Sequence, residues 1–194
     1  MTRFPLTSEN SYSQKYRNGE KVYASLELNQ VAFPKTGMVV SQVPLSAAFT
    51  AAAPCENGMW VIADKGAKEI APATAGTDKP IGIVYTTEKE YDPYHYGLQT
   101  FGRKIAGDYP RVGLLGVGDT VTTNCLQYNE STYATFAALE AALNGGDMYV
   151  VPGAGGVPAL TASKPGSGMY AKVVKYYTMP NGEKGIKYQV ITLG

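Results

Sequence analysis

The sequence predicts a mainly β protein, a small β-barrel or β-sandwich with one short helix and an extended N-terminal arm. Composition supports this: the 194 residues include 22 Gly, 12 Pro and 15 Tyr, and only 17% are charged, against about 25% in typical domains. Most apolar stretches are short and bounded by turn residues, which is typical of strands. Only one stretch has a clear helical period.

Residues 1–36 differ from the rest and predict the arm, which leaves 37–194 as the β domain. Residues 7–19 are polar with no apolar period, whereas 22–28 alternate like a strand. Phe4, Tyr12 and Tyr16 are unusual for a solvated terminus, because such segments are poor in aromatic residues. We therefore expect the arm to become ordered against a partner.

The first half of the β domain contains several candidate elements. The Ala-rich stretch 46–53 predicts one or two helical turns that end at Pro54. Residues 59–63 predict a strong strand, 68–71 pair back on it after a turn, and 81–87 predict another strand.

A long irregular loop follows at 88–108, punctuated by proline and glycine and rich in aromatic residues. Loops of this length in compact domains are often functional. Its acidic run, Glu88, Glu90 and Asp92, lacks the spacing of a calcium loop and indicates a solvated edge. Its aromatic candidates for contact with a sugar or a protein are Tyr91, Tyr94, Tyr96 and Phe101.

In the second half, 111–123 predict a strand interrupted by a turn at 116–119. Phe136, Leu139 and Leu143 share one helical face within 131–143, with Ser131 as the expected N-cap. Strands are expected at 148–151, 169–178 and 185–193, and the last two form a hairpin through 180–182.

An internal repeat links the two halves. The pattern Asn57–Ile62, a turn and then 70–74 recurs as Gly146–Val151, a turn and then 158–161. An Ala-rich stretch with one phenylalanine precedes each copy, and a glycine- or alanine-containing strand follows each. The alternatives are chance similarity between two hairpins and two pseudo-symmetric units that close one barrel or sandwich.

The sequence contains few candidate catalytic or metal-binding residues. One histidine, His95, and two distant cysteines, Cys55 and Cys125, are too few for a zinc site or a catalytic triad, and no phosphate-binding fingerprint is present. We expect no enzyme activity, no metal and no cofactor. The net charge of +1 argues against nucleic acid, and the lack of a long apolar run argues against a membrane or secretory segment.

The stretches GMWVIADKGAKEIAPATAGTDKPIGIVYTT, RVGLLGVGDTVTTN and GDMYVVPGAGGVPALTASKP resemble the head decoration, or capsid cement, proteins of tailed bacteriophages. The resemblance covers roughly 55–190. It implies a structural virion protein on the outer capsid surface, made in the host cytoplasm, which binds the major capsid protein and self-associates as a trimer. The alternative is a fibre or receptor-binding β module that recognises carbohydrate.

On this interpretation the arm and the Tyr-rich loop would contact the partner. The aromatic residues would insert into it, and basic residues of the arm such as Arg17 would face acidic groups on the capsid. The candidate partner-binding residues are Phe4, Tyr12, Tyr16, Arg17, Tyr91, Tyr94, Tyr96 and Phe101.

Overall fold

The protein folds into two β-sheets in a sandwich-like arrangement with one short helix, which confirms the predicted mainly β class. The structure, a computed structural model, describes residues 1–4, 24–27, 31, 37–62, 68–74, 80–86, 105–180 and 182–194. Its strands are β1 (Thr2–Arg3), β2 (Val39–Val40), β3 (Trp60–Ile62), β4 (Ala71–Pro72), β5 (Ile81–Val84), β6 (Val112–Leu114), β7 (Thr120–Thr123), β8 (Gln127–Tyr128), β9 (Tyr149–Val151), β10 (Ala159–Thr161), β11 (Met169–Thr178) and β12 (Lys184–Leu193). The sheets run β1-β8-β10-β9-β11-β12-β7 and β2-β6-β5-β3-β4.

The helix α1 spans Phe136–Gly145 and begins later than predicted. Its N-cap is Thr135, whose hydroxyl accepts a hydrogen bond from the Ala138 amide at 3.2 Å, whereas Ser131 donates its own amide to the Asn129 side chain. Ser131 therefore belongs to a turn that precedes the helix. The helix ends two residues beyond the predicted stretch 131–143, and Gly146 after it has extended backbone angles.

The Ala-rich stretch 46–53 does not form the expected helical turns. Phe49 donates its amide to the Ser46 carbonyl, and Thr50 and Ala53 exchange two backbone hydrogen bonds. The Thr50 hydroxyl also accepts from the Ala53 amide. This local side-chain bond competes with helical pairing, so the chain makes two tight turns that bury Phe49.

The C-terminal hairpin of β11 and β12 is confirmed, with Thr178 opposite Lys184 at its turn. The predicted strand over 111–123 is two strands in different sheets, β6 and β7. Between them the Asp119 carboxylate accepts from the Gly116 amide at 2.7 Å and fixes the turn.

The internal repeat corresponds to two units of the same topology. Four consecutive strands have the order β4-β3-β5-β6 in one sheet and β10-β9-β11-β12 in the other. The registers also agree. Val61 lies opposite Pro72 and Gly82 in the first unit, and the equivalent Val150 lies opposite Leu160 and Ala171 in the second. This agreement favours two pseudo-symmetric units over chance similarity.

Each unit also begins with an equivalent strand segment. In the first unit, segment 39–46 pairs with β6 through β2, and Leu45 then bridges to Ile70 in parallel orientation. In the second unit, segment 120–127 pairs with β12 through β7, and Gln127 then pairs with β10, again in parallel. Position by position, Val39 corresponds to Thr120 and Leu45 to Leu126.

The main core lies between the sheets and contains side chains from both of them, as well as Leu139 and Leu143 of α1. At its centre Trp60 of β3 meets Tyr188 of β12, with ring centroids 5.8 Å apart. A second apolar cluster, which includes Phe49 and Val61, lies on the opposite side of the five-stranded sheet. The five-stranded sheet is thus covered on both faces.

Residues at both ends of the predicted arm belong to the same fold as 37–194. β1 pairs with β8, Leu26 bridges to Thr123, and Phe4 and Leu26 are part of the main core. The boundary at residue 36 therefore does not separate an arm from the domain at these positions. Residues 5–23, 28–30 and 32–36 lie outside the described residues.

Candidate functional site

Of the eight predicted partner-binding residues, the structure places one. Phe4 is 1% exposed, and its ring packs edge-on against Phe136 at 5.4 Å and Tyr176 at 6.4 Å between centroids. This corrects the expectation that Phe4 inserts into a partner, because its side chain is already buried in the protein's own core. Lying outside the described residues are Tyr12, Tyr16, Arg17, Tyr91, Tyr94, Tyr96 and Phe101.

The first aromatic segment, 5–23, is held at both ends by one continuous strand segment. The Phe4 amide donates to the Leu126 carbonyl at 2.9 Å, and the Asn124 amide donates to the Ser25 carbonyl at 3.2 Å. Phe4 and Ser25 therefore bond to positions 126 and 124, which are two residues apart on the same strand segment. The two residues that border segment 5–23 therefore lie close together in the fold.

Glu56 bonds to residues on both sides of this segment. Its Oε2 atom accepts from Arg3 Nη2 at 2.9 Å and from the Ala24 amide at 2.8 Å. Burial lowers the pKa of the Arg3 guanidinium, but its interactions with Cys125 and Glu56 outweigh that effect, and the pKa is raised overall. One carboxylate oxygen therefore fastens the start and the end of segment 5–23 to the same turn.

The next residue, Asn57, fastens the second aromatic segment. Asn57 is buried, and its Nδ2 donates to the Thr86 carbonyl at 2.9 Å. The Thr86 hydroxyl in turn accepts from the Arg111 amide at 2.7 Å. Thr86 is the last described residue before segment 87–104, which carries the remaining aromatic candidates.

The far end of segment 87–104 is also fixed. The Ile105 amide donates to the Asp108 carboxylate at 2.9 Å, and the Ala106 amide donates to the Phe49 carbonyl at 2.9 Å. Ile105 and Ala106, which follow this segment, are therefore attached beside the buried Phe49 turn.

We define the anchor turn as Glu56 and Asn57. Four residues border the two aromatic segments, namely Phe4, Ala24, Thr86 and Ile105. The anchor turn bonds directly to Ala24 and Thr86, and it holds Phe4 through the neighbouring Arg3. Described residues that border the two predicted partner-binding segments are thus brought together at one turn. This arrangement is the candidate functional site.

Sequence reasoning missed the anchor turn because its partners are distant in the chain. Arg3 and Glu56 are 53 residues apart, and Asn57 and Thr86 are 29 apart. Asn57-Gly58 is a recognisable turn signal, and it marks the position without indicating what the side chains bind.

A buried polar network lies next to the anchor turn. Glu183 is fully buried, and its Oε2 accepts from Ser25 Oγ and Asn124 Nδ2, both at 2.8 Å. The Asn124 side chain also accepts from the Ser25 amide. Buried polar groups are stable only when hydrogen-bonded, so this network fixes residues 24–27 against the β11–β12 hairpin.

The two cysteines are buried and free. Burial raises the pKa of the Cys55 thiol well above its ordinary range, and it raises the pKa of Cys125 to about 12 despite the nearby Arg3. The thiolate is the reactive form of cysteine. Both side chains therefore act as packing groups at neutral pH.

Two surface clefts exist elsewhere. One, of about 500 Å³, lies between the end of α1 and β11, and the other, of about 450 Å³, lies beside Tyr133 and β10. Within the described ranges no group of three or more His, Cys, Asp or Glu side chains could hold a metal ion. Nor does any helix there have the length and apolar character needed to cross a membrane.

The chain matches no protein-family model, no curated protein and no solved structure.

Proposed function

We propose that the protein is a structural virion protein that decorates a phage head and binds the major capsid protein on its outer surface. The observation that carries the proposal is the anchor turn, which gathers the bases of two aromatic-rich segments. Tyrosine and arginine are enriched at the centres of protein interfaces. Because residues bordering both segments bond to one turn, the segments are attached to the domain at one place, which favours a shared binding face.

The proposal assigns mechanical work and no covalent step to this face. Each aromatic side chain contributes modest affinity, and many copies bound to one shell add up to strong attachment. The resemblance of 55–190 to capsid cement proteins supports the same role. The alternative, a carbohydrate-binding fibre module, would use the same aromatic segments to stack on sugar rings.

The test is co-sedimentation with purified heads of the phage that encodes the gene. We expect the wild-type protein to sediment with the heads, and a variant with Tyr12→Ser, Tyr16→Ser and Tyr94→Ser to bind at least tenfold more weakly. Val174→Ser, which changes an exposed residue of β11, is the matched control and should bind as the wild type does.

An unchanged affinity of the triple variant would contradict the role of the aromatic segments. Absence of wild-type protein from the sedimented heads, together with binding to a glycan array, would replace the proposal by the alternative.

A further inference from the structure

In the second unit, other parts of the chain cover the outer edge of the first strand segment. The Glu27 amide donates to the Thr122 carbonyl at 3.0 Å, and the Asn124 amide donates to the Ser25 carbonyl. Further along, β1 pairs with β8. Two antiparallel pieces of chain, residues 2–4 and 25–27, therefore lie along most of segment 120–128.

In the first unit, the described residues cover only the end of the corresponding edge. The Leu45 amide donates to the Asp108 carbonyl at 2.8 Å, and the Gly107 amide donates to the Leu45 carbonyl at 2.9 Å. Leu45 corresponds to Leu126, which β1 and Phe4 cover in the second unit. No described residue takes the place that residues 24–27 occupy there.

Val39 lies in the part of this edge that no described residue covers. The Leu114 amide donates to the Met38 carbonyl at 3.0 Å, so the backbone of Met38 points toward β6. Hydrogen-bonding directions alternate along a strand, which turns the amide and carbonyl of Val39 outward. Within the described part of the chain, neither group has a hydrogen-bond partner.

The side chains around this edge favour association. Val39 is 43% exposed and Met38 is 36% exposed. Tyr109, which is 61% exposed, follows Asp108 at the point where the covered part begins. Residues 37–44 contain no charge, although natural edge strands are commonly protected by charged side chains.

We propose that this edge pairs with the same edge of a second copy of the chain. β2 of one copy lies antiparallel to β2 of the other, with Val39 opposite Val39, and the two residues exchange both backbone hydrogen bonds. A two-fold axis places identical side chains opposite each other, and an uncharged strand meets no repulsion there. The inference is independent of the proposed function, and it differs from the trimer that the resemblance implies.

The test is light scattering and sedimentation equilibrium of the full chain over a concentration series. We expect a monomer–dimer equilibrium with a Kd on the order of 100 μM, because strand pairing of this length gives a small interface. Val39→Lys and Val39→Glu should each raise the Kd at least tenfold, since like charges then face each other. Val174→Lys, at an exposed position of β11 outside this edge, should leave the Kd unchanged.

Mixing the two charged variants provides the decisive comparison. An equimolar mixture of Val39→Lys and Val39→Glu should form a heterodimer at concentrations where each variant alone is monomeric. A monomeric wild type up to 1 mM, on the order of ten times the expected Kd, would overturn the proposal. So would a trimeric mass, or a mixture that stays monomeric while circular dichroism shows both variants folded.

Discussion

The indole N–H of Trp60 donates a 2.8 Å hydrogen bond to the hydroxyl of Tyr188 across the main core. Both side chains are fully buried, and they come from strands in different sheets. The bond therefore ties the two units together at a position where water cannot replace either partner.

Replacing Tyr188 by phenylalanine should destabilise the protein by about 1–3 kcal/mol, because the Trp60 N–H is left buried without an acceptor. Urea unfolding measures the change, and the single tryptophan provides the fluorescence signal. Tyr149→Phe is the control, since the Tyr149 hydroxyl makes no hydrogen bond within the described residues. Equal stability of the two variants would show that the bond contributes nothing.

Gly58 and Gly107 form a matched pair that separates backbone strain from steric clash. Their φ angles are +90° and +88°, so alanine is strained at both positions, at a cost of about 1–2 kcal/mol. A Cβ at Gly58 would also lie 2.6 Å from the Cβ of Cys125, whereas a Cβ at Gly107 meets nothing within 4 Å. Thermal unfolding should therefore show a clearly larger loss for Gly58→Ala than for Gly107→Ala.

Phe4→Ala should destabilise the whole domain by about 3–5 kcal/mol, the usual effect of removing a buried phenylalanine ring. Denaturant unfolding of Phe4→Ala and Phe4→Leu tests this, and the leucine variant should lose less. A Phe4→Ala protein with wild-type stability would restore the interpretation of residues 1–4 as a free arm.

The buried thiols should resist alkylation in the native state. Because burial raises the pKa of both Cys55 and Cys125, iodoacetamide at pH 8 should label neither until the protein unfolds. Mass spectrometry of the native and urea-unfolded protein gives the comparison, with two added groups expected only in urea. Rapid native labelling of either thiol would show that its site opens locally.

Glu27 should make stability fall as the pH rises above about 4.5. Burial raises the pKa of this carboxyl above its ordinary value of 4.5, although Tyr177 and Lys187 oppose the shift. The folded state then holds the proton more tightly than the unfolded state does, and this contribution is lost as the pH passes through the raised pKa. Glu27→Gln should flatten the stability profile between pH 4 and pH 7, whereas Glu69→Gln at an exposed site should not.

Local patterns predicted the elements that local interactions determine. The β11–β12 hairpin follows from two apolar stretches around a Pro-Asn-Gly turn, and the paired residues of the repeat follow from its two similar stretches. The cap of α1 was missed because Ser131 and Thr135 are both good caps, and the turn that Asn129 makes with Ser131 decides between them.

Non-local contacts account for the rest of the differences. The apolar stretch around Phe4 is too short for a periodicity that would mark it as a core side chain, and its partners Phe136 and Tyr176 lie in the other half of the chain. Glu56 likewise looks like an ordinary surface acid in the sequence. Its role depends on Arg3 and Ala24, which only the folded strands bring to it.

The pairing of β1 with β8 determines when the protein can finish folding during synthesis. A chain emerges from the ribosome with its N-terminus first, so Phe4 stays exposed to solvent until β8 has been synthesised. The side chain of Ser25 finds its acceptor later still, because Glu183 is translated after β8. Phe4 and Ser25 are therefore made before the segments against which they dock, and a nascent chain stalled before the second unit would expose both Phe4 and the open core of the first unit to chaperones.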